Sequence, residues 1–478
     1  MKNSLLSFDF SEIIFRSRAI SRNQFESDID ATSTHLSALT CDNPSPFVFL
    51  VSDNSYKAAV YYFAIIKAGK IAVLTDPDTT EMEMQDLLVA APPCAILHPD
   101  NTCEQYSLQE DSFVLPASDA VIHWDELDDV CTVMFSNAED GHMKAVMLSS
   151  ENIETGLQSC FYADTFDATS SICGLIPFYH IYGLITGLYL GSRCGGKFVI
   201  YEMSKALDVQ GMAETFSEHK LTNLYSVPLV YYLLGKSPIA AGFKSHLRNA
   251  VSGGYKLSKQ IRDQFAAKTG CSIREGYGIT EATGIVFTHK ASDEIRIDSV
   301  GCPIPFTGTI IINERGAEIS HGLIGEICLA GKGVSKGYYA NKKASRHFIK
   351  DGWLHTGDYG FLDTEGYLYL TGLKKRMLNV AGKNVYPAEL ERYINTNPQV
   401  KACRIFGEYT GIFGHKVIAE IHLHEQTPEN EVAIKQWCRD NISGYKMPKR
   451  WEFNQIVVTK VLPKTAKKQR LVKKEAIA

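Results

Sequence analysis

Short apolar runs alternate with helical patterns over the first hundred residues, and that alternation predicts a parallel sheet. The run FVFLV (47–51) is followed by Ser52, Asp53 and Asn54, which suit a helix cap. From Tyr56 to Lys67 Ala, Val, Tyr, Phe and Ile then recur at helical density. Gly69 closes that helix, and a second run, IAVLT (71–75), ends at Asp76-Pro77. Thr80 to Ala90 reads as another helix leading into a third run, CAIL (94–97). Each crossover returns the chain to the same end of the sheet, so neighbouring strands run parallel and a doubly wound sheet is expected.

The same alternation recurs from Thr222 to Gly278, with LYSV before Pro228, a helix through Leu234, a strand near Ala250-Val251 and a helix from Ser258 to Ala267. After about Phe287 the texture changes to short runs broken by glycine: TIII, GEICLAG and GYLYLTG. The compact charge run Lys374, Lys375, Arg376 follows Gly372 and marks a boundary. Beyond it, Pro387 to Asn395 and Glu429 to Arg439 read as helices, and Val400 to Phe406, Val417 to His422 and Trp451 to Val458 as strands. The expected class is α/β: a large N-terminal domain of doubly wound sheets plus a β-rich subdomain (1–372), then a small α+β C-terminal domain (373–478).

Composition narrows the function classes. With 478 residues, 49 basic against 54 acidic side chains and a net charge of −5, the chain is long enough for several cores. It is too balanced for whole-protein attraction to nucleic acid or anionic lipid. Asp9 and Glu12 interrupt the apolar N-terminus, and no run approaches the roughly 20 apolar residues that span a bilayer, so a cytoplasmic location without a membrane span is expected. Twelve cysteines are scattered singly between Cys41 and Cys438, with neither CxxC nor zinc spacing, and read as reduced thiols.

Six ordered segments carry the candidate chemistry. They are IPFYHIYGL (176–184), VSGGYKLS (251–258), REGYGITEAT (274–283), GEICLAGKGVSKGYY (325–339), DGWLHTGD (351–358) and VAGKNVYPAELE (380–391). Residue chemistry alone says that Ser252-Gly253-Gly254, at a strand end, lets a flat ring approach backbone that lacks Cβ atoms. Tyr277 offers an aromatic face, and Glu281 a carboxylate oxygen. The competing structural readings are a turn for the glycines, a helix-capping acid for Glu281, a core histidine for His180 and a turn aspartate for Asp358.

As a series, the segments resemble the motifs of the adenylate-forming superfamily of acyl-CoA synthetases, luciferases and adenylation domains. The resemblance implies an acid ligase using ATP, with AMP as leaving group, Mg²⁺, and CoA or phosphopantetheine as acceptor. It implies nucleotide contacts at Ser252, Gly253, Gly254, Tyr255 and Thr280, and along Glu275, Gly276, Tyr277 and Gly278, with Asp358 accepting both ribose hydroxyls. Thr280 and Glu281 would face the phosphates, and Glu281 would hold the metal. His180, Val227, Gly254 and Gly278 would line the acid pocket, with His180 switching position between half-reactions. Lys375 would be the hinge, and Gly382 would lie on the thiol side. No acidic residue stands in the pocket segments to pair with a substrate ammonium, which favours a small uncharged acyl or aryl acid over an α-amino acid. A carrier protein, if used, would come in trans.

Three departures touch phosphate chemistry. The phosphate loop reads FSNAEDGHMKAVMLSSEN (135–152), keeping Gly141 and Lys144 but placing Asn137-Ala138-Glu139-Asp140 where the family has a Ser/Thr/Gly cradle. Such a cradle points N–H and hydroxyl donors at the anion. A carboxylate about 5 Å from a phosphate charge costs roughly 3 kcal/mol at an effective dielectric near 20. Gly372-Leu373 lacks the family's arginine before the hinge. In LPKTAKKQR (462–470) the family's adenylation lysine falls on Gln469 without gaps, and on Lys468 after a one-residue slip, with Lys467 as second choice. The sequence therefore leaves three readings open: a full acid:thiol ligase or amide-forming variant, an acyl-transfer-only catalyst, and a non-catalytic acyl- or nucleotide-binding protein. A NAD(P)-linked oxidoreductase is disfavoured, because no GxGxxG follows a strand.

Overall fold

The computed structural model describes residues 2–41, 43–98, 124–137, 142–202, 208–373 and 377–453. Two sheets organise the larger part. In the first, Pro93–Leu97, Phe47–Val51, Ile71–Thr75 and Val130–Asn137 run parallel, and Met143–Ser149 closes the edge antiparallel. FVFLV and IAVLT are buried at every position, which explains why they read as continuous apolar runs rather than alternating ones. The second sheet has nine strands. Its parallel middle is Ile273–Ile279, Asn249–Ser252, Asn223–Ser226, Ser171–Gly174, Lys197–Ile200 and Glu12–Phe15, and antiparallel strands flank it at both ends.

The helix Tyr56–Lys67 forms as expected, but its cap is Ser55, whose hydroxyl accepts from the Ala58 amide. Asn54, read as a cap residue, has another task. Its side-chain amide donates to the Gly174, Leu175 and Ile176 carbonyls while its Oδ1 accepts from the Phe178 amide. One buried side chain thus fixes the path of the PFYH segment between the two sheets.

A third, antiparallel sheet contains Thr307–Ile312, Gly325–Gly331, Trp353–Leu362 and Leu368–Leu373. It corrects one expectation: Asp358 lies not in a turn but inside the ten-residue strand Trp353–Leu362, opposite Leu373. From Leu378 onward the chain builds a separate core around Val385, Leu390, Ile405, Ala419 and Ile434. Its elements are the hairpin Leu378–Val380/Lys383–Val385, the helices Pro387–Ile394 and Pro428–Asn441, and the strands Val400–Tyr409, His415–Leu423 and Arg450–Phe453. Among the described residues no helix is long and apolar enough to cross a membrane.

Candidate active site

The C-terminal ends of the parallel strands of the nine-stranded sheet gather most of the expected residues. Strand Asn249–Ser252 ends in Gly253, where the Tyr182 ring lies 3.2 Å from the position a Cβ would occupy. A side chain at 253 would have to displace that ring by a few tenths of an ångström. Val227, at the end of the neighbouring strand, lies 3.7 Å from the corresponding position on Gly254. Ser252 is buried and its hydroxyl has no hydrogen-bond partner. Tyr255 turns outward to the C-terminal unit, with its ring centroid 6.5 Å from that of His415.

The next strand, Ile273–Ile279, divides its side chains between structure and site. The Glu275 carboxylate is committed to Arg262 at 2.5 Å and to the Leu257 amide at 2.9 Å, so this residue offers the cleft its backbone. Gly276 and Gly278 flank Tyr277, whose buried hydroxyl donates to Asp358 Oδ2 at 2.6 Å. Burial, then the Asp358 charge, pushes that phenol well above its ordinary value and keeps it a donor. Asp358 is half-buried, and its own amide donates to Thr356 Oγ1 at 3.0 Å. A carboxylate has about four lone-pair sites, so one bond from Tyr277 orients Asp358 without exhausting it.

Thr280 opens a single 3₁₀ turn, Thr280–Ala282, that aims Glu281 back beneath the first sheet. Its Oε1 accepts from Ser136 Oγ at 2.8 Å and from the Tyr338 hydroxyl at 3.0 Å. Lys144 Nζ stands 4.9 Å from the Tyr338 ring centroid. Ser136 and Lys144 both belong to the segment 135–152 expected to meet phosphate, so through Ser136 Glu281 touches that segment. Neither Ser136 nor Tyr338 was singled out from sequence; Tyr338 was visible in KGYY but carried no assigned role. Among the described residues no three His, Cys, Asp or Glu side chains form a metal cluster. One carboxylate does suit Mg²⁺ shared with substrate phosphates and does not suit an all-protein cage. Gly141, Lys375, Lys467 and Lys468 lie outside the described residues.

His180 caps the short helix Ile181–Gly183, from which a π-helical stretch, Leu184–Tyr189, continues. Its side chain is exposed to the cleft, yet the protein around it lowers its pKa by desolvation, against which the Asp76 charge works. The imidazole is therefore neutral near pH 7. Its neighbour Tyr179 stacks obliquely on it at 4.6 Å and hydrogen-bonds Asp76. Asp76 also meets Lys383 of the C-terminal hairpin at 3.2 Å. Burial alone would raise the Asp76 carboxyl, but Lys383 and the Asp78 amide outweigh it and leave the group below the usual range.

The hairpin places Gly382 in the cleft. Its φ of +93° is one that L side chains rarely adopt, and a Cβ there would sit 3.1 Å from Val227 Cγ2. Tyr386, just beyond, has its phenol raised by burial first and then by the charges of Glu281, Glu389 and Asp358. The C-terminal unit therefore lies over the same cleft as Val227, Glu281 and Asp358, and Asp76, Lys383 and Tyr386 join the expected residues there.

These features agree with what the chain is similar to. A model of the AMP-binding enzyme family matches residues 7–339. A long-chain-fatty-acid–CoA ligase of Bacillus subtilis (strain 168) is 28% identical over 345 residues, which is 71% of this chain and 60% of that protein. A probable 4-coumarate–CoA ligase of Dictyostelium discoideum is 31% identical over 333 residues, 68% of this chain and 60% of that protein. The chain thus spans about 60% of the length of these curated relatives. Among solved structures, o-succinylbenzoate CoA synthetase from Bacillus subtilis superposes with a TM-score of 0.79 at 21% identity, covering 93% of this chain and 92% of that one. An amide bond synthetase from Marinactinospora thermotolerans gives 0.77 at 19% identity, covering 95% of each chain. The structural likeness carries the fold, the family match spans most of the sequence, and the chain belongs to the AMP-binding enzyme family.

Proposed function

We propose that this protein activates a small carboxylic acid as an acyl-adenylate and passes the acyl group to a pantetheine thiol, on CoA or on a carrier protein. The observation that carries the reading is the meeting of two surfaces in one cleft. The Gly382 hairpin reaches Val227 beside the twin glycines, and the Tyr277–Asp358 pair stands ready for a ribose.

In the first step the acid's carboxylate oxygen attacks the α-phosphorus of ATP in line. An oxygen–phosphorus bond forms, the bond to the β-phosphate bridge breaks, and pyrophosphate leaves. Asp358 grips the sugar, and Tyr182 and Val227 bound the pocket for an uncharged tail. His180, neutral, lines the pocket without adding charge. Glu281 would hold Mg²⁺, which supplies charge neutralisation at the phosphates when bound. Lys468, or Lys467, would meet the carboxylate and α-phosphate. In the second step the thiol sulfur bonds to the acyl carbon, the acyl–phosphate bond breaks and AMP departs. The unit following residue 372 would pivot near Lys375 between the two steps, so that one cleft serves both. An amine acceptor giving an amide is a variant of the second step.

A second reading is kept for one observation: the phosphate loop carries Glu139 and Asp140 while the thiol-side segment keeps the family's pattern. An acyl-transfer-only enzyme, fed by a ready-made adenylate or thioester, has that signature. Acid-dependent exchange of labelled pyrophosphate into ATP across a panel of short acyl and aryl acids separates the readings. Exchange supports the ligase. Its absence, with AMP still bound and acyl transfer intact, rejects the ligase for the transferase.

A further inference from the structure

The C-terminal unit does not merely rest on the larger one; a row of acidic residues receives it. Helix Glu81–Ala90 and the turn before it carry Asp76, Asp78, Glu83 and Asp86, and the opposing surface carries Lys383, Arg392 and Lys446. Asp76 pairs with Lys383 at 3.2 Å, Glu83 with Lys446 at 2.7 Å, and Asp86 with Arg392. The Tyr393 hydroxyl donates to Asp86 at 2.9 Å, Thr80 donates to the Asn441 carbonyl at 2.9 Å, and Ser443 donates to the Asp78 carbonyl at 3.1 Å and to Glu83.

Lys446 differs from the other basic residues because it is buried. Its ammonium lies between Glu83 of the large unit and Glu389 of its own unit, at 2.7 and 2.9 Å. Side-chain exposures of 10%, 5% and 1% for Lys446, Glu83 and Glu389 leave the trio nearly dry. Burial works against charge on Lys446, but Glu389, Tyr445 and Glu83 outweigh it and hold the ammonium protonated. Two carboxylates for one ammonium look excessive for stability alone, since buried ion pairs often do no better than apolar packing. The arrangement suits a contact that must break and reform. When the units part, Glu83 passes into water while its capping bond to the Thr80 amide persists, and Lys446 keeps Glu389. Neither charge is stranded in a dry interior.

We infer that Glu83 and Lys446 are positioning residues. The acidic edge Asp76–Asp86 is a dock whose buried Glu83–Lys446 contact sets how much of the protein holds the Gly382 hairpin against Val227. Lys383, on that hairpin, ties the same dock to the cleft through Asp76. The kinetic consequence rests on the two-step reading above; the dock itself does not.

The test uses the full-length protein and Glu83→Gln. This near-isosteric change keeps an acceptor for Thr80 and Ser443, and it leaves the Lys446–Glu389 pair inside the C-terminal unit intact. Two readouts are taken. Hydrogen exchange is followed in segments 80–86, 378–385 and 441–446 without any ligand. The two half-reactions are measured separately, as pyrophosphate exchange and as single-turnover transfer from a preformed acyl-adenylate to a thiol. The expected result is faster amide exchange in all three segments, transfer slowed about tenfold, and pyrophosphate exchange undiminished. Lys446→Arg, which preserves a positive charge between Glu83 and Glu389, should slow transfer less than Glu83→Gln does. Unchanged hydrogen exchange in the three segments overturns the dock, as does an equal loss in both half-reactions. If wild type carries out neither half-reaction, the enzymatic reading fails, and the hydrogen-exchange comparison still decides the dock.

Discussion

Replacing Asp358 by Ala tests nucleotide recognition and stability together, because the Tyr277 phenol depends on the same carboxylate as a bound ribose would. In the proposed complex Asp358 accepts two ribose hydroxyls. Hydrogen bonds to a charged group contribute about 1.5–3 kcal/mol each, and water competes for a half-buried carboxylate, so we take about 3 kcal/mol for the pair. That is roughly a hundredfold loss in AMP affinity. The substitution also removes the 2.6 Å acceptor of the buried Tyr277 hydroxyl. The Thr356 hydroxyl also hydrogen-bonds Tyr277 and takes up part of the deficit. The stability cost is therefore expected near 1–2 kcal/mol rather than the full price of an orphaned donor. Tyr277→Phe alone, which leaves Asp358 in place but less firmly oriented, should weaken AMP by about fivefold, near 1 kcal/mol. The double variant should regain most of the stability lost in Asp358→Ala and none of the affinity. Titration calorimetry with AMP and denaturant unfolding of the four proteins give the complete cycle. Wild-type AMP affinity in Asp358→Ala refutes the sugar-binding role. Full stability in that variant refutes the account of the Tyr277 bond.

Gly382→Ala puts a Cβ 3.1 Å from Val227 Cγ2 on a backbone with φ of +93°. Strain of about 1–3 kcal/mol should draw the hairpin out of the cleft and slow thiol transfer at least tenfold while pyrophosphate exchange persists; equal loss of both would contradict a thiol-side role. Glu281→Gln should lower the Mg²⁺-dependent exchange rate by roughly tenfold or more, since metal charge stabilisation is worth several kcal/mol. It should also shift the Mg²⁺ dependence upward, and an unaltered Mg²⁺ titration would remove Glu281 from the metal site.

How far the sequence could be read depended on how locally each feature is encoded. The strands Phe47–Val51 and Ile71–Thr75 were legible because burial on both faces demands an unbroken apolar run, and helix Pro387–Ile394 because its proline fixes the first turn. Asp358 was misplaced for an equally local reason: TGD has the chemistry of a turn. The strand nevertheless continues through it, because Gly357 donates to Glu326 and the pairing with Leu368–Leu373 absorbs the irregularity as a register shift after Tyr359. The dock was invisible. Asp76 is 307 positions from Lys383 and Glu83 is 363 from Lys446, and Glu83 satisfies a capping box by itself, so nothing nearby asks for a second partner. Motif reasoning named the residues expected to face a nucleotide but not their neighbours in the cleft, such as Ser136 and Tyr338 at Glu281 and Asp76 near His180.

The degenerate loop remains the feature on which the choice between ligase and transferase turns, and its charges can be weighed against its lost donors. Ser136 and Lys144 lie within the segment 135–152, and both belong to the cluster around Tyr338 and Glu281. Phosphate bound beside Glu281 would meet that carboxylate, and the sequence adds two more negative charges, Glu139 and Asp140, to the same segment. At about 5 Å each added charge costs roughly 3 kcal/mol with an effective dielectric near 20, and at about 10 Å roughly half as much. Glu139→Gln with Asp140→Asn removes the charge alone, and the sequence Ser-Gly-Thr-Thr at 137–140 also restores hydroxyl donors. If charge limits adenylation, the neutral pair should raise pyrophosphate exchange by about tenfold or more, and the restored loop should add a further gain that the hydroxyls supply. No change in either protein would mean that the loop does not limit the first half-reaction. A fall in both would reverse the argument: the two carboxylates would then be assisting the phosphates through a shared cation, and the departure from the family's pattern would be a working substitution.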